Sequence, residues 1–241
     1  MAFRRVRVLV IALCGFSVVI TLALWLVSRR VSDSAALATM ARLIGGEVDH
    51  GAARATGQLA GRRVTIENLT NETTHWTEVT VEVGGALDLE VRTRSDRAPT
   101  SDAEIDLGDP AFRDRYIVEG APSAQVRAVL TADARARLLA IAPIHVRLRG
   151  GELHLISPRL VRDDDDATAL VGLTAALLAG VGTAGDVDPV RADAERARLS
   201  EVRSARDGRT KVAALIVLGT IAAIAVAIIV ALLRRHGPPP P

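Results

Sequence analysis

One predicted hairpin carries the residues best suited to bind a metal ion. A turn at Gly150-Gly151 pairs Leu148 with Leu153 and leaves on the other face the polar residues His145, Arg147, Arg149, Glu152 and His154. Diagonal neighbours on such a ladder have backbones about 7–8 Å apart, so two imidazoles can share a metal ion. The two arginines oppose a cation there, and a third ligand would have to come from elsewhere. We therefore predict a solvated polar face and no metal site.

Carboxylates and histidines elsewhere could support general acid–base chemistry. A membrane-tethered hydrolase would use Asp106, Asp109 or Glu119 as the acid and His75 or His145 as the base. The chain contains no G-x-S-x-G, Walker A, G-x-G-x-x-G, H-E-x-x-H or C-x-x-C motif to position such groups. The catalytic residues are therefore unknown, and the hydrolase is the alternative to a binding protein.

Other polar motifs are weaker signals. The acidic run Asp163–Asp166 lacks the alternating ligands and the turn glycine of a calcium loop, so it is read as a solvated loop. The single cysteine, Cys14, excludes a disulfide within one chain. Asn68 and Asn71 match glycosylation acceptors, a pattern that short sequences produce by chance. We predict no cofactor.

Side-chain alternation predicts hairpins in the elements that would position these groups. A loop at Gly61-Arg62 would pair Leu59 with Val64 and Gly57 with Ile66 in a type II′ turn. A three-residue loop, Gly84-Gly85-Ala86, would pair Val81 with Leu89 and keep Asp88 and Glu90 off the buried face. A register shifted by one residue would bury both carboxylates, so the three-residue loop is preferred.

Helical segments surround these hairpins. Ser32-Asp33 can cap a helix that ends near Ile44 before Gly45-Gly46. Residues 123–141 read as helical, with Thr131 able to cap a second segment. Residues 167–185 are uncharged, and their leucines and valines recur at helical spacing opposite a face of glycine and alanine. This pattern favours a packed helix, with a third membrane segment as the alternative.

Two uncharged apolar stretches, Val8–Ser28 and Val212–Leu233, are each long enough to cross a bilayer as a helix. The first exceeds a usual signal peptide and lacks an A-x-A cleavage site, which favours an uncleaved anchor. The predicted organisation is a cytoplasmic tail (1–7), a transmembrane helix (8–28), an α+β domain (29–185), a helical stalk (186–211), a second transmembrane helix (212–233) and a Pro-rich tail (234–241).

Charge bears on the orientation of these two spans. The two tails carry five arginines and no acid, which places both tails in the cytoplasm and the domain outside it. The cations between Arg196 and Lys211 favour the opposite orientation. Long loops translocate largely regardless of charge, so we expect an extracytoplasmic domain. The 183 residues between the spans carry 25 basic and all 28 acidic side chains, a net charge of −3, which argues against a nucleic-acid partner.

Phe112 and Tyr116 belong to a segment that resembles a known group of proteins. The stretch Asp109-x-x-Phe112-x-x-x-Tyr116-x-Val118, followed by Leu130-Thr131 and a hairpin, is similar to uncharacterised bacterial membrane-anchored proteins with an α+β domain. The resemblance covers residues 100–160. It supports the fold and implies no catalytic residue. Both aromatic rings are expected in the core.

The sequence as a whole predicts an α+β fold, with an antiparallel hairpin-rich sheet and packed helices between two transmembrane helices. The expected function is non-enzymatic binding or scaffolding at the cell envelope of a bacterium. The expected partners are the lipid bilayer and an envelope protein.

Overall fold

The computed structural model describes residues 35–94, 103–141, 143–185 and 188–205. Both predicted transmembrane helices, Cys14, the Ser32-Asp33 cap and the Pro-rich tail lie outside these residues. The strands are β1 (Glu47–Asp49), β2 (Arg54–Leu59), β3 (Arg62–Thr70), β4 (His75–Glu82), β5 (Asp88–Thr93), β6 (Tyr116–Ala121), β7 (His145–Arg149) and β8 (Glu152–Ser157). The helices are α1 (35–43), α2 (Pro110–Arg115), α3 (Ser123–Val129), α4 (Ala132–Ala140), α5 (Asp164–Thr183) and α6 (189–205).

The strands form one eight-stranded antiparallel sheet in the order β1-β2-β3-β4-β8-β7-β5-β6. Inward residues of the strands and apolar residues of α1 to α5 make one continuous core. The predicted α+β class with an antiparallel sheet and packed helices is confirmed.

The hairpin of β7 and β8 has the predicted register. Leu148 pairs with Leu153 and Val146 with Leu155, and all four side chains are buried. His145 pairs with Ile156, and His154 with Arg147, on the opposite face. Alternation specifies this register well because a slip of one residue would expose the whole apolar set.

The hairpin of β2 and β3 differs from the prediction by two residues. Its turn is Ala60-Gly61, so Leu59 pairs with Arg62 and Gly57 with Val64. Both turn residues have positive φ, +52° and +73°, as a type I′ turn requires, rather than the predicted type II′. A slip of two residues keeps the same side chains on the buried face, so alternation could not detect it.

The predicted pairing of β4 with β5 is wrong. Val81 pairs with Val64 of β3 and Leu153 of β8, while Leu89 pairs with Leu148 of β7 and Gly120 of β6. The later hairpin of β7 and β8 inserts between the two strands. The backbone N–H groups of Val83 and Gly84 donate to the carbonyl of Gly151, so the connection crosses that hairpin's turn.

Thr131 accepts a hydrogen bond from the Ala134 N–H at 3.2 Å and begins α4, as predicted. Asp163 accepts from the Asp166 N–H at 2.7 Å and begins α5. The acidic run is therefore a helix cap and first turn and not the predicted solvated loop, because carboxylates are favourable at a helix N-terminus. Among the described residues, α5 alone is long and apolar enough to cross a membrane. Its side chains Leu170, Leu173 and Leu177 lie in the core, which supports the packed-helix interpretation.

Candidate functional site

A cluster of charges occupies the outward face of β5 and β6. Alternation places Asp88, Glu90 and Arg92 on this face of β5, and Glu119 lies directly opposite Glu90 on β6. Like charges directly opposite on neighbouring strands are destabilising. Glu119 has no exposed side-chain surface, so its charge requires a partner.

Arg203 of α6 lies among these three carboxylates. Its guanidinium is 2.6 Å from Asp88, 3.4 Å from Glu90 and 3.9 Å from Glu119, and its side chain is 11% exposed. On the sheet itself, Arg92 lies 3.2 Å from Glu119, Arg149 3.5 Å from Asp88, and His145 3.5 Å from Glu90. We call these residues the Arg203 cluster: Asp88, Glu90, Arg92, Glu119, His145, Arg149 and Arg203.

The helix α6 is attached at a second point. The backbone N–H of Ser123, at the start of α3, donates to the Glu195 carboxylate at 2.7 Å. This bond and Arg191 lower the pKa of Glu195. Ile117 and Ala121 share the outward face of Glu119, and they are buried outside the main core, as are Ala192 and Leu199 of α6. The predicted stalk is helical, but over these residues it packs on the sheet instead of standing in solvent.

The proposed hydrolase acids have separate structural roles. Asp109 is the N-cap of α2 and lies 3.2 Å from Arg135. The Phe112 N–H, followed by Arg135, lowers the pKa of Asp109. The Asp106 carboxylate accepts from the Gly108 N–H at 2.8 Å, in a local turn. Glu119 belongs to the Arg203 cluster.

The histidines lie in different surroundings. His75 contacts the Thr70 hydroxyl at 3.0 Å in an exposed position. His154 lies 2.9 Å from Glu78 and 3.4 Å from Glu152, whereas His145 contacts Glu90. The structure therefore places Glu119 and His145 near each other, since both are neighbours of Glu90.

The remaining sequence candidates also have defined positions. Phe112 and Tyr116 are buried and stacked with ring centroids 5.0 Å apart, as expected of core residues. Burial raises the pKa of the Tyr116 phenol, which donates to the Leu138 carbonyl at 2.9 Å. Asn71 holds a turn by accepting from the Thr74 N–H, and Asn68 accepts from the Thr77 hydroxyl.

A cleft of about 330 Å³ lies next to the attachment of α6. Its wall comes from the segment 103–106, from Gly120 of β6, from Ser123 and Arg127 of α3, and from Glu195, Arg198 and Leu199 of α6. This volume falls at the small end of ligand-binding pockets.

The sequence did not predict the Arg203 cluster or the cleft, although one pattern in it indicated which residues of α6 share a face. Glu195, Leu199 and Arg203 recur every four residues, which places them on one face of a helix. The surrounding alternation of charges at helical spacing indicated a solvated helix instead.

No family model matches the chain, and no curated protein matches it. Among solved structures, the crystal structure of the mycobacterial trehalose monomycolate transport factor A, TtfA, is similar to it at 15% sequence identity and a TM-score of 0.39. The match covers 56% of this chain and 75% of that chain. A likeness at this level supports no argument about function. The resemblance of residues 100–160 to bacterial membrane-anchored proteins stays a prediction.

Proposed function

We propose that this protein is a double-pass membrane protein that holds a non-enzymatic binding or scaffolding domain against the bilayer of the cell envelope. Two uncharged stretches, Val8–Ser28 and Val212–Leu233, supply the spans. The bilayer is the first partner, and an envelope protein or ligand bound by the domain is the second.

The observation that carries the proposal is the packing of both terminal helices on the domain. Leu37, Met40 and Ala41 of α1 are buried in the core, and Arg203 of α6 is ion-paired to the sheet. Six residues, 29–34, separate the first apolar stretch from α1, and six, 206–211, separate α6 from the second. Six residues reach at most about 20 Å, so two short tethers would keep the domain at the membrane surface.

The Arg203 cluster favours attachment over catalysis. Each of its three carboxylates lies beside a guanidinium, and the carboxylate of Glu119 is closed to solvent. A general acid or base has to reach the proton that it transfers, in a site open to substrate. Asp106 and Asp109 are held by their own local turns. These contacts support a binding module rather than the hydrolase.

Cysteine labelling tests the proposal. In a Cys14→Ser background, Glu72→Cys in the exposed loop before β4 and His236→Cys in the Pro-rich tail are treated in intact cells with a membrane-impermeant thiol reagent. We expect labelling at position 72 but not at 236, and labelling of both after the membrane is opened. Labelling at 236 alone would reverse the orientation, and equal labelling of intact cells at both would contradict two spans.

A second measurement tests the non-enzymatic assignment. The purified protein should hydrolyse p-nitrophenyl butyrate no faster than buffer. Turnover that is abolished by Glu119→Gln but retained in the exposed control Arg147→Ala would establish the hydrolase instead.

A further inference from the structure

The acidic groups around the cleft beside α6 are already occupied. Glu104 pairs with Arg94, the residue that follows β5. Glu195 accepts the Ser123 N–H at 2.7 Å and lies 3.2 Å from Arg191. The Asp106 carboxylate accepts the Gly108 N–H. Glu104 and Glu195 are thus each paired with an arginine of the domain, whereas Asp106 accepts only a backbone N–H.

The basic groups of the cleft are largely uncommitted. Arg198 is exposed, and within the described part of the chain it forms neither an ion pair nor a hydrogen bond. Arg127 is exposed as well and uses one guanidinium nitrogen for the Asp106 carbonyl. Guanidinium groups match carboxylate and phosphate oxygens through paired hydrogen bonds. The cleft therefore offers two cations to an anion.

Apolar side chains lie beside these cations. Leu199, one residue after Arg198, is 4% exposed, and Ile105 packs against the main core. Both line the cleft. A ligand that placed an anionic group at the arginines would therefore have the half-buried Ile105 side chain, and the edge of Leu199, beside the first carbons of its chain.

We propose that this cleft binds a single-chain anionic amphiphile, a fatty acid or an alkyl phosphate. Its headgroup lies between Arg127 and Arg198, and the first part of its chain lies along Ile105 and Leu199. This proposal rests on the proposed function, since it names the ligand class of the binding domain, and the bilayer beside the domain is the source of such molecules. The same anionic chemistry is available from free phosphate, so the test separates the two sources.

The full-length protein in dodecyl maltoside is titrated with octyl phosphate, and binding is followed by microscale thermophoresis. Octyl glucoside serves as the neutral ligand and inorganic phosphate as the headgroup alone. Arg198→Ala and Arg127→Ala should weaken binding of octyl phosphate at least about tenfold, because each removes a charge-assisted contact. Arg147→Ala, an exposed arginine of β7 that does not line the cleft, should leave the affinity unchanged. Arg198→Lys keeps the charge but loses the paired hydrogen bonds, so it should weaken binding less than Arg198→Ala does.

Arg198 is exposed and forms no ion pair or hydrogen bond with the residues that the structure describes, so its variants should melt at the same temperature as the wild type. Absence of octyl phosphate binding, or equal affinity in wild type and Arg198→Ala, overturns the proposal. Equal affinity for inorganic phosphate and octyl phosphate overturns the amphiphile in favour of a free anion. Equal affinity for octyl glucoside and octyl phosphate would show that the two arginines do not contribute to binding, which also overturns the proposal. If octyl phosphate does not bind, the topology proposed from cysteine labelling is unaffected. If the labelling is reversed, binding of octyl phosphate in the cleft is unaffected.

Discussion

Glu90 and Glu119 lie directly opposite each other on neighbouring strands, and this arrangement needs a cation. Arg92 supplies one from the sheet, and Arg203 supplies a second from α6. Buried charges are costly unless they are paired. The two carboxylates and the guanidinium of Arg203 therefore stabilise one another, and this pairing keeps α6 on the sheet. Arg203 thus supplies the ionic contact between α6 and the sheet, in addition to the Glu195 hydrogen bond and the buried apolar side chains of α6.

Arg203→Ala should therefore lower the free energy of unfolding by about 3–5 kcal/mol, the usual effect of removing one partner of a buried ion pair. Urea denaturation followed by circular dichroism measures the change, and hydrogen exchange should become faster in α6. The control is Arg196→Ala, whose pair with Asp193 is exposed and should contribute less than about 1 kcal/mol. Equal effects of the two substitutions would show that the cluster does not hold α6.

At the scale of elements, the connection between β4 and β5 decides the topology. Gly84 and Gly85 both have positive φ, +68° and +83°, where the sequence required at least one such residue. The chain leaves β4 at this point, crosses the Gly150-Gly151 turn and rejoins the sheet as β5, with β8 and β7 between the two strands. Glycine is favoured there because it alone adopts this backbone conformation without a steric penalty.

Gly85→Ala should cost about 1–2 kcal/mol of stability, because an L side chain is strained in the left-handed region. Gly182→Ala, near the end of α5, should instead stabilise the protein by about 0.5–1 kcal/mol, since a Cβ there meets no atom within 4 Å. The melting temperatures should therefore move in opposite directions. A stabilising effect of Gly85→Ala would contradict the backbone conformation of the connection.

At the scale of the whole molecule, α6 is part of the domain, so the domain ends later in the chain than the sequence predicted. The sequence placed the end of the α+β domain at residue 185, before a stalk. The contacts of Glu195 and Arg203 extend the folded unit to residue 205. The first and last described helices, α1 and α6, both belong to this unit, and the described residues begin and end six residues from an apolar stretch.

A fragment of residues 29–211 should fold without either apolar stretch, because the described core lies entirely within it. A shorter fragment, 29–187, lacks α6 and exposes Glu119, Ile117 and Ala121. We expect cooperative thermal unfolding of the first fragment and a lower midpoint for the second. Equal midpoints would show that α6 contributes nothing to the stability of the sheet.

The amino-acid sequence by itself determined the α+β class, the cap at Thr131, and the β7–β8 register. These features depend on short-range chemistry: alternation assigns each side chain to a face, and a cap needs only its own first turn. The burial of Phe112, Tyr116 and the leucines of α5 follows from the same local patterns.

Only the tertiary structure decided which strands are neighbours and where α6 lies. Alternation assigns a face but not a partner, so β4 beside β5 and β4 beside β8 fit the same pattern equally well. Asp88, Glu90 and Arg203 appeared as solvated charges because their pairing joins residues more than 100 positions apart, such as Asp88 and Arg203. The cleft beside α6 exists only once that helix is docked, and no local pattern in the sequence encodes a distance between two surfaces.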